Sequence, residues 1–429
     1  MIYLTDRLNQ DEQGFIDDVI ASGVDVCVVT KEEPGVWPDC SCFLPMILAS
    51  QTTSTVDTNP ALFALKVAVP KFWEIHMDYN EGTIWDKDAK RGLIHYLNRE
   101  LRTVKMVEWL DEKGRTFSRD YYQENGWRYK QVILDEEEKS ISIHYYSPEN
   151  ILLMIEDVEN QLFTVFENEI TRIYKEQELW QNCLSKINVE NEIVAVGDQR
   201  IAQCLEIENI LGCYLGKETL DETEIQNWLS YVDCLYIHHY SVYRSLSENE
   251  KVRHLSPLYP LKNNRTRHRA LIVTHTQEVE EIETLVENLP MLEFHIAAIT
   301  AMGGRLTDLR EKENVFLYPG ILETQFKSLL EICTIYLDIN HNIEILSAVE
   351  ESIEKGLLLY GFEETYHRKE FLCPEHLYAS SDVSHMIEEI KKIVLSEEAY
   401  QSAMQKQLQF IHASSKDHYR EVFQREEIE

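Results

Sequence analysis

The sequence is short of positive charge, of paired cysteine motifs and of long apolar runs, and each shortage removes a class of function. Lys and Arg number 41 against 75 Asp and Glu, a formal net charge of −34. A surface of that sign repels phosphate backbones and anionic headgroups, so neither nucleic acid nor a bare membrane is expected as main partner. Apolar runs such as Leu357–Tyr360 fall far short of the roughly 18 residues of a membrane span, so no direct membrane insertion is expected. The opening MIYLTDRLNQDEQG soon turns polar and carries no charged start or apolar stretch, so no targeting segment is expected. The nine cysteines contain no CxxC, and Cys40 and Cys42 stand too close to form half a zinc site. Free thiols in a reducing cytoplasm are the expectation, with no metal and no disulfide. There is no Gly-x-Ser-x-Gly elbow and no Walker loop, and Gly303-Gly304-Arg305 is too short to cradle a phosphate.

What is present is ample core material. A hydrophobic fraction of 44% over 429 residues predicts two or three domains. Residues 1–70 mix short strands with one helix: Phe15, Ile16, Val19 and Ile20 recur at helical spacing, Gly23 closes the helix, and Val24–Thr30 is β-rich. Pro34–Pro60 reads as loop. From Lys71 to Ser147 aromatics concentrate, including four of the seven tryptophans. Turn-like sequences start at Asp111, Gln123, Asp135 and Ser147, twelve residues apart each time, with short β-formers between them. That period predicts an antiparallel meander over residues 71–160, inserted into the first α/β domain. Aromatics on both strand parities predict that neither face of this sheet is fully solvated. One face packing on a neighbouring domain and a sticky sheet for a protein partner are both open, with Trp85, Trp109, Tyr121, Trp127 and Tyr145 as partner-contact candidates.

Residues 161–261 are expected to complete the first α/β domain, with a strand at Leu162–Phe166 and a helix at Ile170–Leu184. After the polar connector Lys262–Arg269, strands and helices alternate through residue 395, and residues 396–429 read as a closing helix. Such alternation predicts parallel sheets covered on both faces, with ligands held beyond the carboxyl ends of the strands. The fold class is therefore α/β, a pair of Rossmann-like domains with an inserted antiparallel meander. His238-His239 with His254 suggests a metal only weakly, because adjacent histidines on a strand point to opposite faces.

Particular segments carry a resemblance. MIYLTDRLNQ, VPKFWEI at Val69–Ile75, DKDAKRGLIHYL at Asp86–Leu97 and VEWLDEKGRTFSRDYYQENGWRY at Val107–Tyr129 resemble the GtfB-type family, as do ALIVTHTQEVEEIE, FHIAA, VFLYP, IYLDINHN and GFEETYHR. These are the glycosyltransferase-stabilising proteins of the accessory Sec system that glycosylates serine-rich repeat adhesins. The resemblance implies a GT-B-like fold and two partners: a GtfA-type catalytic subunit, which the protein stabilises, and the Ser/Thr-rich adhesin, which it holds while GlcNAc is attached. It implies no cofactor of its own and a cytoplasmic location, peripheral at the membrane through partners. Two rival readings are an active glycosyltransferase using UDP-GlcNAc or another nucleotide sugar, and an adhesin chaperone acting alone.

Charge bears on the choice between them. A working GT-B donor site clamps a diphosphate with cations after the first strand of its second domain, yet Thr276–Asn288 holds five glutamates and no Lys or Arg. The acid pair usual in active, retaining GT-B enzymes is also missing: aligning Glu351 leaves Ile343 in the first place, aligning Glu350 leaves Asn342, and Glu344 is out of register by one. No catalytic residue is therefore assigned. Thr274, His275, Arg305, Asn340, His341, Glu344, Thr365 and His367 are expected at strand ends facing a cleft, where they bind the acceptor or a remnant ligand, or only tie down loop backbone.

Overall fold

The computed structural model describes residues 1–32, 41–50, 61–187, 192–216, 218, 220–246, 248–260, 262 and 269–424. They fall into two compact units. The first comprises Met1–His238, Ser245–Arg253 and the chain from Lys416, and the second comprises His239–Arg244 and His254–Ser415.

The first unit opens with β1 (Ile2–Thr5), α1 (Gln10–Ala21) and β2 (Cys27–Thr30). Asn9 starts α1 with a reciprocal capping box to Glu12, which satisfies two otherwise orphaned backbone N–H groups. Most of the loop expected over Pro34–Pro60 lies outside the described residues, but its middle is β3 (Ser41–Phe43) and α2 (Leu44–Leu48) instead. Phe43, Leu44, Met46 and Leu48 are buried there, and Pro45 occupies the first helical turn, where it costs no hydrogen bond.

Ten strands follow as one antiparallel sheet: β4 (Glu74–Met77), β5 (Glu81–Asp86), β6 (Ala89–Asn98), β7 (Thr103–Leu110), β8 (Thr116–Tyr122), β9 (Arg128–Leu134), β10 (Ser140–Tyr146), β11 (Leu152–Asp157), β12 (Leu162–Glu167) and β13 (Ile170–Lys175). Each strand pairs with the one before it. The twelve-residue period has a structural cause, because the same turn recurs. Asp111, Gln123, Asp135 and Ser147 each donate their N–H to the carbonyl four residues on. The residue just before that carbonyl (Gly114, Gly126, Glu138 and Asn150) has positive φ. A left-handed residue closes such a hairpin with the twist the strands need, and glycine takes it without strain. Asp111, Asp135 and Ser147 also accept backbone N–H bonds from their own turn through the side chain.

The sheet runs past residue 160, where the sequence reading ended it. The helix expected over Ile170–Leu184 is strand to Lys175 and becomes α3 (Glu176–Ile187) only afterwards. Ile170, Thr171, Ile173 and Tyr174 are β-formers, and left-handed Asn168 turns the chain back onto β12.

The two ends of this sheet bury opposite faces. One row of cross-strand partners runs Val107, Asp120, Gln131, His144, Ile155 and Thr164, and its neighbour runs Met106, Tyr121, Lys130, Tyr145, Met154 and Val165. Adjacent rows point to opposite sides. Val107 is buried on the first face with Ile84 and Ile94, packed on Ala64 and Val67. On the second face Tyr145, Met154 and Val165 are buried, and the Phe43 ring lies 6.0 Å from Tyr145 and 5.6 Å from Trp127. Aromatics on both parities therefore reflect a sheet that changes its covered side along its width.

After α3 the first unit resumes with β14 (Val194–Val196), α4 (Gln199–Cys204), β15 (Ile210–Tyr214), α5 (Glu222–Leu229) and β16 (Cys234–Ile237); α6 (Tyr240–Leu246) belongs largely to the second unit, and β17 (Val252–His254) returns the chain to the first unit. Its second sheet has the order β17-β16-β15-β14-β1-β2-β3, with parallel pairing from β3 through to β16. Because β2 leaves β1 on one side and β14 joins it on the other, strand order reverses at β1 and β14.

The second unit is a parallel sheet in the order β20-β19-β18-β21-β22-β23. Its elements are β18 (Arg269–Thr274), α7 (Ile282–Asn288), β19 (Glu293–Ala298), α8 (Gly304–Asp308), β20 (Val315–Pro319), α9 (Glu323–Ile332), β21 (Ile335–Asp338), α10 (Ala348–Glu354), β22 (Leu358–Phe362), β23 (Leu377–Tyr378), α11 (Val383–Leu395) and α12 (Glu397–Phe410). Alternation along β18 feeds two cores. Ala270 and Ile272 pack with Val286, Met386 and Ile390, while Leu271 and Val273 pack with Phe326, Leu329 and Val349. Most of the connector expected at Lys262–Arg269 lies outside the described residues. Lys262 itself donates to the carbonyl of Cys333, 2.7 Å away, at the end of α9.

The single closing helix expected over 396–429 is two. α12 belongs to the second unit, and α13 (Lys416–Phe423) belongs to the first. There Tyr419 and Phe423 are buried, with rings 6.3 Å and 5.8 Å from Phe15, and the Arg420 guanidinium donates to the Ser22 carbonyl at 2.7 Å. Two such aromatic anchors contribute about 3–6 kcal/mol of apolar burial to that contact.

Candidate functional site

The strand ends of the second unit hold the residues singled out for ligand contact. At the end of β18 the Thr274 hydroxyl, fully buried, donates to the Thr276 carbonyl at 2.9 Å and accepts the Thr276 N–H. Thr274 thus folds its own loop. His275 follows, with its carbonyl accepting the Thr300 hydroxyl at 3.3 Å and its Nδ1 buried without a hydrogen bond. Arg305 forks onto Glu283, placing both carboxylate oxygens against its guanidinium. That contact holds the Glu283 carboxyl below its ordinary pKa. Arg305 is therefore engaged by the glutamate-rich segment itself. Lys312 is likewise within 3.1 Å of Glu287.

Across the sheet, β21 ends at Asp338, a buried carboxylate that the sequence reading did not single out. It accepts the His367 backbone N–H at 2.8 Å and faces His367 Nδ1 at 2.6 Å. The other ring nitrogen faces the Asn342 carbonyl at 3.1 Å. Both ring nitrogens meet acceptors, so the arrangement favours the doubly protonated imidazolium. Burial works to lower the His367 pKa, but Asp338, the Asn342 carbonyl and Glu344 together outweigh it and the net shift is upward. The Thr365 hydroxyl donates to the Asp338 carbonyl at 3.1 Å. Asp338 thereby gathers Thr365 and His367 around one strand end. The available signal was a lone acid closing an apolar strand, Ile335-Tyr336-Leu337-Asp338.

Asn340 and His341 pair with the loop after β18 through backbone bonds, with Glu280 N–H donating to the Ile339 carbonyl and His341 N–H to the Glu278 carbonyl. His341 Nε2 stands 2.7 Å from a Glu280 oxygen. Glu344 accepts the Val349 N–H at 3.0 Å and the Arg368 guanidinium at 2.7 Å. The helix expected from Ile343 starts only at Ala348, because Asn342, Leu346 and Ser347 all adopt positive φ. Three left-handed residues that are not glycine break the helical path, and the His367 ring meets the carbonyl of the first of them, Asn342. Taken together, Arg305, Arg368, His341 and His367 each face a carboxylate of their own unit. The arrangement fixes loops by charge-assisted hydrogen bonds.

The histidines considered for metal have separate surroundings. His238 meets the Phe15 ring edge-on at 6.0 Å, and His254 stacks on Tyr243 at 5.1 Å. His239 lies 3.4 Å from Glu350, and with Glu354 these three bring ligand atoms within 4.8 Å of one another. Each of the three also has a further polar, ring or electrostatic contact.

The aromatic candidates of the ten-stranded sheet divide into two sets. Trp127 and Tyr145 are buried against Phe43, with Trp127 Nε1 donating to the Tyr146 carbonyl at 3.0 Å, so they serve the first unit's own core and are withdrawn as partner contacts. Trp85, Trp109 and Tyr121 are half-buried. Trp85 donates to the Thr83 hydroxyl at 2.9 Å, Trp109 to Asp120 at 2.7 Å, and Lys130 sits 4.9 Å over the Tyr121 ring. Among the described residues, no helix is long and apolar enough to cross a membrane.

Comparison with known proteins matches two family domains to this chain. The GtfB middle domain matches residues 73–175, which is the span of the ten-stranded sheet, and the GftB/GlyA-F C-terminal domain matches residues 270–407. The UDP-N-acetylglucosamine–peptide N-acetylglucosaminyltransferase stabilizing protein GtfB of Streptococcus gordonii is 27% identical over 95% of this chain and 94% of its own length. A chain from the crystal structure of a GtfA/B complex bound to UDP and GlcNAc superposes with a TM-score of 0.65 at 26% identity, covering 99% of both chains. S. aureus TarM, at 11% identity and a TM-score of 0.52 over 98% of both chains, shares the fold alone. The two Rossmann-like sheets are those of a GT-B fold, and the antiparallel sheet is an insertion into the first of them.

Proposed function

We propose that this chain, a protein of the GtfB type, is a non-catalytic subunit that binds and stabilises a GtfA-type O-GlcNAc transferase and holds the Ser/Thr-rich acceptor. The observation that carries this reading is the pairing of Arg305 with Glu283 at the strand ends of the second unit. A sugar-nucleotide diphosphate needs uncommitted cations at such strand ends, and binding there would have to break this fork and the single contacts of His341 with Glu280 and of Arg368 with Glu344. Likeness over almost the whole chain to a stabilizing protein, and to one chain of a two-protein transferase complex, supports a partner role. In this reading the acceptor is a serine-rich adhesin polypeptide. A disordered, weakly charged chain of that kind is held by many polar contacts and by added strand pairing. Trp85, Trp109 and Tyr121 remain the proposed partner contacts, and Thr274, His275, Asn340 and His341 line the strand ends nearest the proposed acceptor path.

The test is co-expression with a GtfA-type subunit and a Ser-rich fragment. Glycosylation is expected only when both subunits are present, and deleting residues 73–175 is expected to abolish complex formation. Transfer of GlcNAc by this chain alone would overturn the proposal.

A further inference from the structure

Two thiols meet on the parallel sheet of the first unit. Cys27 opens β2, and Cys42 is the middle residue of β3. The two strands run parallel, with Val29 opposite Cys42. Cys27 stands two residues before Val29, so both cysteines project from one face of the sheet as diagonal neighbours. Their Sγ atoms are 3.9 Å apart, and the Cys27 S–H donates to the Cys42 sulfur. Both are half-buried thiols.

Reactivity follows from the same contact, because the thiolate and not the thiol attacks a disulfide. The Cys27 S–H stabilises the Cys42 thiolate and brings its pKa down to about 7, against the opposing pull of burial. Burial prevails instead at Cys183, Cys204, Cys213 and Cys333, whose pKa values are all pushed up. Cys42 is set apart from these four by a second sulfur already beside it. The strands also allow the gap to close. A disulfide holds its sulfurs about 2.0 Å apart, so roughly 1.9 Å remains to be covered. β3 has three residues and is the last strand of its sheet among the described residues, next to β2. A short edge strand moves toward its neighbour without breaking a second ladder.

We infer that Cys27 and Cys42 form a reversible dithiol–disulfide site that takes a low-molecular-weight disulfide as its oxidant. The Cys42 thiolate attacks one sulfur of that disulfide, forming a mixed disulfide and releasing one thiolate, which takes up a proton. Cys27 then gives up its proton, attacks the Cys42 sulfur and expels the second thiolate. Two protein thiols are thereby oxidised to one disulfide, and the small disulfide is reduced to two thiols. The structure holds the reduced form, as expected of thiols in reducing surroundings. Closure ties the edge strand to β2. Phe43 follows Cys42 directly, and its ring packs 5.6 Å from Trp127 and 6.0 Å from Tyr145. Oxidation therefore acts where the parallel sheet seats the ten-stranded one, whichever partner the chain serves.

The test equilibrates the full-length chain in glutathione buffers of increasing oxidised fraction, then alkylates it and digests it with trypsin. Cys27 lies in the tryptic peptide Leu8–Lys31, and Cys40 and Cys42 lie in Glu32–Lys66. The two peptides are expected to appear joined, the joined fraction rising with oxidation and vanishing on addition of dithiothreitol. Cys40→Ser is expected to keep the link and Cys42→Ser to lose it. A second readout is the pH profile of Cys42 alkylation by iodoacetamide, taken in Cys40→Ser. Its midpoint is expected at about pH 7 and should rise toward about 8.5, the ordinary thiol value, when Cys27→Ala is added. Absence of the joined peptides, arrest at a glutathione adduct, a link that survives Cys42→Ser, or a midpoint unmoved by Cys27→Ala would overturn the inference.

Discussion

The carboxyl ends of the two parallel sheets make a controlled comparison, since the same architecture has been used in opposite ways. In the second unit the polar side chains of the loops have turned on one another: His367 on Asp338, His341 on Glu280, Arg368 on Glu344 and Arg305 on Glu283. In the first unit Asp6 and Arg200 also pair but line an open cavity, while buried Lys31 stands 3.3 Å from the other Asp6 oxygen, which is buried and makes no hydrogen bond. A strand-end reversal is thus only an opportunity for a site. Whether a ligand is held depends on how far the loop side chains satisfy each other.

The comparison breaks most sharply at its two acids. Asp338 is 2% exposed and its carboxylate takes two bonds from His367, so Asp338→Asn leaves a buried imidazolium without its counter-charge. A loss of about 3–5 kcal/mol is expected, localised to the second unit. Asp6→Asn is expected to cost about 1 kcal/mol, because Lys31 keeps Glu176 at 3.5 Å and burial already disfavours the Asp6 charge. Hydrogen exchange read separately over the two sheets measures both, since a two-unit chain has no single unfolding free energy. Equal costs would mean that the two strand ends are built alike.

Much of this arrangement was legible from the residues, and the rest was hidden for identifiable reasons. The parallel strands were readable because runs such as Ala270–Val273 and Leu358–Tyr360 are apolar on both faces. The meander was readable because its turn recurs every twelve residues. Its end was not: β12 and β13 follow turns at Asp157–Gln161 and Asn168–Glu169 that break the period, and Ile170–Lys175 has the length and polarity of a helical turn. The start of α10 was hidden because positive φ at Leu346 and Ser347 leaves no mark in residue type. Nor could sequence separate a histidine that awaits a ligand from one whose partner lies elsewhere in the chain, as Asp338 and His367 do. Charge counting over Glu278–Glu287 found the local excess of acid, but the answering Arg305 and Lys312 lie outside that window.

Smaller in effect is the pH dependence, which sharpens the comparison by separating the two units along one axis. The His367 pKa is raised in the folded state. A raised folded value means that its stabilising contribution is complete below about pH 6.5, the ordinary unfolded value, and is lost as pH rises through the folded value. The Asp6 and Glu12 pKa values are raised too, through burial. By the same sign their contribution is most favourable below about pH 4 and is lost as pH rises through their folded values. Exchange protection of the first unit's parallel sheet is therefore expected to fall as pH rises across the acidic range, and that of the second unit's sheet from near-neutral pH upward. His367→Asn should remove the second slope and leave the first. A second-sheet slope unchanged in His367→Asn would show that another group carries it.

The smallest effect concerns Arg305 and Glu283, and it bears most directly on why the second unit is read as closed to a sugar nucleotide. The pair is about half exposed, at 50% and 40%, and exposed pairs contribute roughly 0.2–1 kcal/mol. A double-mutant cycle with Arg305→Ala and Glu283→Ala is expected to return a coupling energy in that range, declining with added salt. Its value lies in what the single variant Glu283→Ala does to ligand binding. Removing the glutamate frees a guanidinium at the strand ends and reduces the local excess of acid. If the fork is what closes this end of the sheet, calorimetry should detect UDP binding in Glu283→Ala and none in the unaltered chain. Binding of UDP by the unaltered chain would instead mean that the other ion pairs, at His341, Arg368 and His367, open readily enough to admit it, and the contrast between the two units would fail.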